Sequence, residues 1–144
     1  MVGLDIIGAY MGYQFDVLRS TTLGKASDQQ RKLLETSLQA TERMIDMAKP
    51  GTRAEDLVEA ARQLVTKAGF GEHLAGFMGH GIGLETVEDP YLIKGVTTQL
   101  REGMVLCLEP GIFIPGFGGS RIEQEIVIRR DKAELISLCK ARLW

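Results

Sequence analysis

The sequence has little cysteine and histidine and no excess of basic residues. Only 2 of its 144 residues are cysteine and 2 are histidine. Cys107 and Cys139 match no CxxC spacing, so we predict two buried, reduced thiols and a cytoplasmic location. The 19 acidic residues outnumber the 17 basic ones, giving a net charge of −2. This balance argues against a surface built to neutralise nucleic-acid phosphates, and we predict no nucleic-acid partner.

Long apolar runs are also missing. No segment approaches the length of a membrane-spanning helix, and the first residues, MVGLDIIGAYMG, lack a basic segment and contain Asp5. We therefore predict neither a signal peptide nor a membrane partner. The length and the 44% hydrophobic content fit a single globular domain over residues 1–144.

The order of the predicted elements indicates an α+β fold. VGLDII and YQFDVL flank AYMG as the strands of a hairpin. Ser27 with Gln30, and Thr52 with Glu55, form capping boxes that begin two amphipathic helices. Residues 70–90 have the composition of a glycine-rich loop, and four strands follow, in MVLCLE, GIFI, SRIEQEIVI and ELISL. We predict an antiparallel sheet with both helices packed on one face.

Four acidic residues interrupt these apolar strand-like segments: Asp5, Asp16, Glu109 and Glu123. A buried carboxylate must be paired, protonated or bound to a cation, and the nearby basic residues are mainly Arg19 and Arg121. Two divalent cations would balance the four charges. The pattern alone leaves a second interpretation open, in which these are independent acids on exposed strand faces.

His80 lies in the segment GHGIG, between glycines that allow the backbone to approach a ligand or another strand closely. The segment is not a dinucleotide-binding fingerprint, because it follows a loop and does not begin a helix. By itself, the pattern fits a hydrogen-bonded structural histidine as well as a metal ligand.

Taken together, these segments resemble the pita-bread metallopeptidases, which include methionine aminopeptidase, aminopeptidase P and prolidase. The resemblance spans almost the whole chain and lies in five motifs: LDIIGAYMGYQFDVLRS, AKPGTRAEDL, FMGHGIGLE, LEPGIFIP and GGSRIEQEIVI. It implies that the chain is the C-terminal portion of a pita-bread catalytic domain. The expected fold is therefore a partial pita-bread fold, with a curved antiparallel sheet.

The resemblance also implies a dinuclear metal site. Asp5 would bind one ion, Asp16 and Glu123 would bridge two ions, and His80 with Glu109 would complete the second position. Two divalent ions are implied, and Mn²⁺, Co²⁺, Fe²⁺ and Zn²⁺ all suit these ligand types.

The implied reaction is hydrolysis of an N-terminal peptide bond by a metal-bridging hydroxide, as in Xaa-Pro dipeptidases and aminopeptidases. Glu109 and His80 would be the catalytic residues, with Glu109 as the proton shuttle, and Arg121 would contact the substrate.

Two departures from the family pattern bear on activity. Val87 stands seven residues after His80, at a substrate-contacting position where peptidase members usually carry a histidine. The family's N-terminal half would precede Asp5, so we expect exposed sheet edges, and either self-association into a homo-oligomer or a partner chain that covers the missing half. Two alternatives stay open: altered chemistry on a small-molecule substrate, and a non-catalytic binding module.

Overall fold

The computed structural model describes all 144 residues and begins with the predicted hairpin. Strands β1 (Val2–Tyr10) and β2 (Tyr13–Thr21) pair antiparallel along their whole length. Met11 and Gly12 form the turn, and both have positive φ angles, of 52° and 88°. The glycine of AYMG therefore serves the tight turn for which the sequence selects it.

Helix α1 (Asp28–Met47) begins at its predicted capping box. The Ser27 side chain accepts the backbone N–H of Gln30, and the Gln30 side chain accepts the backbone N–H of Ser27. The helix ends before Pro50, which cannot continue it.

Helix α2 (Ala54–Lys67) begins at Ala54 as predicted, but its capping residue differs from the predicted one. The Thr52–Glu55 box is wrong because the Thr52 hydroxyl donates instead to the carbonyl of Met47, at 3.0 Å. Arg53 is the capping residue, and its backbone N–H donates to the Asp56 carboxylate at 3.3 Å.

The second half of the chain contains six short strands. They are β3 (Gly79–Gly81), β4 (Val105–Leu108), β5 (Gly111–Ile114), β6 (Gly118–Arg121), β7 (Gln124–Ile128) and β8 (Ala133–Leu135). Three expectations are corrected. Residues 79–81 form a strand rather than part of a loop, SRIEQEIVI is divided between β6 and β7, and the last strand starts before ELISL and ends at its second residue.

The antiparallel pairing is confirmed, but the strands form three hydrogen-bonded sheets. The largest has the order β3-β4-β7-β8, and β1-β2 and β5-β6 form the other two. Helix α1 contacts β4, β5, β6 and β8, and α2 packs against α1. One hydrophobic core, which includes Leu33, Met44, Leu57 and Leu106, joins the helices to the strands.

Strand β3 depends on Gly79. Its φ angle of 147° is one that L side chains rarely adopt, and a Cβ atom there would collide with the carbonyl oxygen of Cys107 on β4. This close approach of the two backbones pairs His80 with Cys107. A strand of the sequence Gly-His-Gly has no β-propensity signal, which is why it resembled a loop.

The β1–β2 hairpin presents an exposed apolar surface. Seven of its large hydrophobic side chains are exposed: Leu4, Ile6, Ile7, Tyr10, Met11, Tyr13 and Phe15. Strand β1 has no hydrogen-bonded neighbour besides β2, so the expected exposed sheet edge is present.

The two cysteines differ in environment. Cys107 is fully buried, as predicted, whereas Cys139 is exposed, so the expectation of a second buried thiol is wrong. Cys139 follows β8 in a surface segment, where its sulfur accepts a hydrogen bond from Arg19 at 3.0 Å. Neither helix has the length and apolar character needed to span a membrane.

Candidate metal centre

Three of the five predicted ligands form one cluster beside the middle of the hairpin. Asp5 on β1 pairs with Leu18, and Asp16 on β2 pairs with Ile7, so the two aspartates are diagonal neighbours on the same face. Glu123 lies in the short break between β6 and β7. One carboxylate oxygen from each acid lies within 4.8 Å of the others.

Two of these acids are buried without a hydrogen-bond partner for every oxygen. Asp16 is 7% exposed and Glu123 is 1% exposed, whereas Asp5 is exposed. The Asp16 Oδ1 and Glu123 Oε1 atoms accept no hydrogen bond. An unsatisfied buried carboxylate oxygen is costly, and a cation is the partner that such a group lacks.

The electrostatics of the cluster oppose ionisation without a cation. Burial, followed by the negative charges of Glu109 and Asp16, raises the pKa of Glu123 to about 9. Burial and the charge of Asp5 raise the pKa of Asp16 to about 6. At neutral pH the metal-free centre therefore retains a proton on Glu123, and a divalent cation would displace it.

His80 and Cys107 form a second group with Glu123. The strand register pairs His80 on β3 with Cys107 on β4, and Cys107 in turn with Glu125 on β7. A ring nitrogen of His80, the Cys107 sulfur and a Glu123 oxygen all lie within 4.8 Å of one another, and all three residues are buried. Glu123 thus belongs to both groups.

The backbone selects the tautomer of His80. Its Nδ1 lies 2.9 Å from the carbonyl oxygen of Gly81, a contact that is favourable only when Nδ1 carries the proton. The Nε2 atom then faces Glu109 Oε1 at 3.4 Å. Burial lowers the pKa of His80, but the contacts with Glu109 and Gly81 outweigh it, and the net shift is upward. This orientation is the one in which Nε2 can bind a metal.

Arg121 is the basic residue that pairs with an acid of the centre. Its Nη1 atom lies 2.8 Å from Glu109 Oε2, and its guanidinium packs on the ring of Phe113. Glu109 is therefore held between a cation and an imidazole, and its side chain is 7% exposed.

Arg19, the other basic residue expected to pair with these acids, contacts no carboxylate. Its guanidinium instead donates to the Gln124 side-chain oxygen, to the Cys139 sulfur and to four backbone carbonyls, those of Leu18, Glu123, Cys139 and Lys140. It ties β2 to the Glu123 segment and to the C-terminal residues.

Sequence reasoning missed Glu125 as well as this role of Arg19. The Glu125 carboxylate accepts the backbone N–H of Asp16 at 2.9 Å, and burial raises its pKa. Glu125 lies in the segment IEQEIVI, two residues after Glu123. Period-two spacing of two acids in an apolar strand is the signal that could have identified it.

Val87 lies on the loop that follows β3, and its side chain is 41% exposed. The neighbouring Glu88 returns to bridge with Gly81, which fixes this loop beside the strand that carries His80. A valine here has no donor or acceptor to offer a ligand.

The donor set suits divalent cations. Four carboxylates and one imidazole are the hard and intermediate ligands that bind Mn²⁺, Fe²⁺, Co²⁺ or Zn²⁺. Two orphaned buried oxygens, on Asp16 and Glu123, point to the same requirement.

The fold and the site define an α+β protein with a candidate divalent-metal centre, and comparisons with known proteins show its family. The sequence matches metallopeptidase family M24 over residues 1–130, so the chain belongs to that family, and membership implies divalent metal ions.

Curated relatives include two Xaa-Pro dipeptidases. That of Lactobacillus helveticus is 42% identical over 91% of this chain and 36% of its own length. That of Pyrococcus furiosus is 36% identical over 99% of this chain and 41% of its own length. The chain thus spans about two fifths of these relatives.

A solved structure of the prolidase from Pyrococcus horikoshii superposes with a TM-score of 0.95. It is 35% identical, and the match covers 99% of this chain and 41% of that chain. The predicted pita-bread fold is confirmed.

Proposed function

We propose that this chain is the metal-binding, C-terminal portion of the catalytic domain of a dinuclear Xaa-Pro dipeptidase. One observation carries the proposal: the unpartnered, buried oxygens of Asp16 and Glu123 lie in a cluster of acids beside a buried histidine. The dipeptidase names of the M24 relatives support the choice of reaction.

The proposed ligands divide between two ions. Asp5, Asp16, Glu123, His80 and Glu109 would hold these ions. When bound, the ions would polarise a scissile carbonyl and lower the pKa of a water molecule.

We assign the proton transfer of the proposed hydrolysis to a residue of the chain itself. Glu109 is the proposed proton shuttle, since its carboxylate lies between His80 Nε2 and Arg121 Nη1, at 3.4 and 2.8 Å. Arg121 fixes the direction of that carboxylate, and its buried Nε atom has no partner in the protein. Arg121 is therefore the proposed contact for a polar group of the peptide substrate.

Metal retention tests the proposal. Protein incubated with Mn²⁺ and then desalted is expected to retain about two ions per chain, because two positions are available. Elemental analysis measures the ratio, and Asp131→Asn, at an exposed acid, is expected to match the unaltered protein. Retention well below one ion per chain would overturn the dinuclear centre. Turnover of Xaa-Pro dipeptides in preference to Met-initiated peptides is the expected specificity.

Val87→His is expected to raise the rate of dipeptide hydrolysis at least tenfold. A histidine adds a hydrogen-bond donor, and removing one such donor from an active site typically costs about 10²–10³ in kcat. Steady-state kinetics of the Mn²⁺-loaded protein measure the change, and Val87→Ala is the matched control. An unchanged rate in the histidine variant would contradict the view that a missing donor at this position limits turnover.

A further inference from the structure

Cys107 lies beside two of the proposed metal ligands, His80 and Glu123, although the proposed function assigns it no role. It occupies β4 between His80 on β3 and Glu125 on β7 in the strand register. Paired residues of antiparallel strands direct their side chains to the same face, and Cys107 is completely buried. Its sulfur therefore faces the acidic cluster rather than solvent.

The distances bring the sulfur within the range of a shared ion. Zinc bonds to nitrogen, oxygen and sulfur are about 2.0–2.3 Å long, so two ligand atoms of one ion lie within roughly 4.5 Å. The Cys107 sulfur, a His80 ring nitrogen and a Glu123 oxygen lie within 4.8 Å of one another. Small side-chain movements would bring all three onto one cation.

A second observation, independent of the cysteine, points to a ligand at this place. The Glu123 side chain is 99% buried, and its Oε1 atom accepts no hydrogen bond. The Gly81 carbonyl also selects the His80 tautomer that leaves Nε2 free to bind a metal. The group thus brings a ring nitrogen of His80, a carboxylate oxygen of Glu123 and the Cys107 sulfur within 4.8 Å of one another, and the Glu123 carboxylate has one oxygen without a hydrogen-bond partner.

We propose that Cys107 is an additional metal ligand, which forms with His80 and Glu123 a position selective for thiophilic divalent cations, Zn²⁺, Co²⁺ and Cd²⁺, over Mn²⁺. The inference rests on the proposed function only in sharing His80 and Glu123, and it requires no peptidase activity.

Metal binding would convert the Cys107 thiol to a thiolate. The S–H bond of Cys107 breaks, a metal–sulfur bond forms, and the proton passes to the solvent buffer. No oxidant or reductant takes part. A thiolate is a soft ligand that favours Zn²⁺, Cd²⁺ and Co²⁺, whereas Mn²⁺ favours carboxylate, carbonyl and water oxygens. The double charge of the cation stabilises the thiolate in this buried place.

Absorption spectroscopy with Co²⁺ tests the assignment directly. Titrating the metal-free protein with Co²⁺ is expected to produce the near-ultraviolet charge-transfer band of a thiolate–Co²⁺ bond. Cys107→Ser is expected to lose this band while still binding Co²⁺ through the remaining ligands. Cys139→Ser is the matched control, since it removes the other, exposed cysteine, and it is expected to keep the band.

Competition between Cd²⁺ and Mn²⁺ measures the selectivity. Cys107→Ser is expected to lower Cd²⁺ affinity roughly tenfold or more, the scale on which single groups around a metal tune its binding, and to leave Mn²⁺ affinity within about twofold. If the unaltered protein retains Mn²⁺ but shows no thiolate band with Co²⁺, this inference is overturned and the proposed function stands. If it shows the thiolate band with Co²⁺ but retains no Mn²⁺, the dinuclear centre is overturned and the assignment of Cys107 stands.

Discussion

Glu123→Gln is expected to abolish retention of both proposed metal ions. Glu123 belongs to both ligand groups, and glutamine removes the negative charge while keeping the shape of the side chain. A dication that loses a shared carboxylate loses a ligand and a balancing charge at once. Elemental analysis after desalting is expected to find less than about 0.2 ion per chain, compared with about two in the unaltered protein.

The matched control is Glu102→Gln, at an exposed acid outside the centre. It is expected to bind metal normally. Full retention of metal by Glu123→Gln would remove Glu123 from the ligand set and with it the bridge between the two ions.

The same substitution is expected to flatten the pH dependence of metal-free stability. The folded-state pKa of Glu123, about 9, lies above its ordinary value of 4.5. A raised carboxyl pKa stabilises the folded state fully below the unfolded pKa, and this stabilisation is lost as the pH rises to the folded pKa. Asp16, with a pKa of about 6, acts in the same direction over a lower range.

In the presence of a chelator, the unaltered protein is therefore expected to melt at a lower temperature at pH 8.5 than at pH 5.5. Each 1 kcal/mol lost shifts the melting temperature of a domain of this size by roughly 2–4 °C. Glutamine stays neutral throughout, so the variant is expected to lose less of its stability over this interval. Thermal melts at the two pH values, with and without Mn²⁺, make the comparison, and an equal decline in both proteins would contradict the assigned pKa.

Arg19→Ala is expected to cause the largest loss of stability, about 3 kcal/mol or more. Arg19 is 5% exposed and donates to the Gln124 side chain and the Glu123 carbonyl, among other groups. Its removal leaves several buried acceptors without a donor, and each hydrogen bond to a charged group contributes about 1.5–3 kcal/mol.

Urea denaturation of the metal-free protein measures this effect, with Arg130→Ala as the exposed control. Arg19→Lys is expected to recover only part of the loss, because an ammonium group cannot reproduce the planar fork of the guanidinium. A loss below about 1 kcal/mol in Arg19→Ala would show that the buried network is not a main support of the fold.

Local signals in the sequence were sufficient for the helices and the hairpin. The Ser27–Gln30 box and the glycine of AYMG act within three or four residues, so their physics is contained in short segments. The capping residue of α2 was less well determined, because Thr52–Glu55 and Arg53–Asp56 offer overlapping capping pairs. Only the tertiary structure shows that the Thr52 hydroxyl turns back to Met47.

The proximity of Asp5 and Asp16 could be anticipated from the sequence, but the residues that hold the acids in place could not. Asp5 and Asp16 fall on one face through the register of a single hairpin, which follows from alternation along the strands. Arg19 and Glu125 act across more than 100 residues of sequence, on Glu123 and Asp16 respectively. No periodicity encodes such contacts. The identification of the site rested instead on the resemblance to a metallopeptidase family, and the roles of its residues remain predictions.

The three acids of the proposed metal centre are not held equally firmly, because β1 is an open sheet edge. Asp16 is anchored through Glu125, and the backbone N–H of Glu123 donates to Leu18 at 3.0 Å. Asp5 lies on a strand whose only partner is β2, and such a strand opens locally at little free-energy cost. Ion binding at the proposed centre would therefore also restrict the fluctuations of β1, and its affinity would depend on how far the hairpin is ordered before the ion arrives.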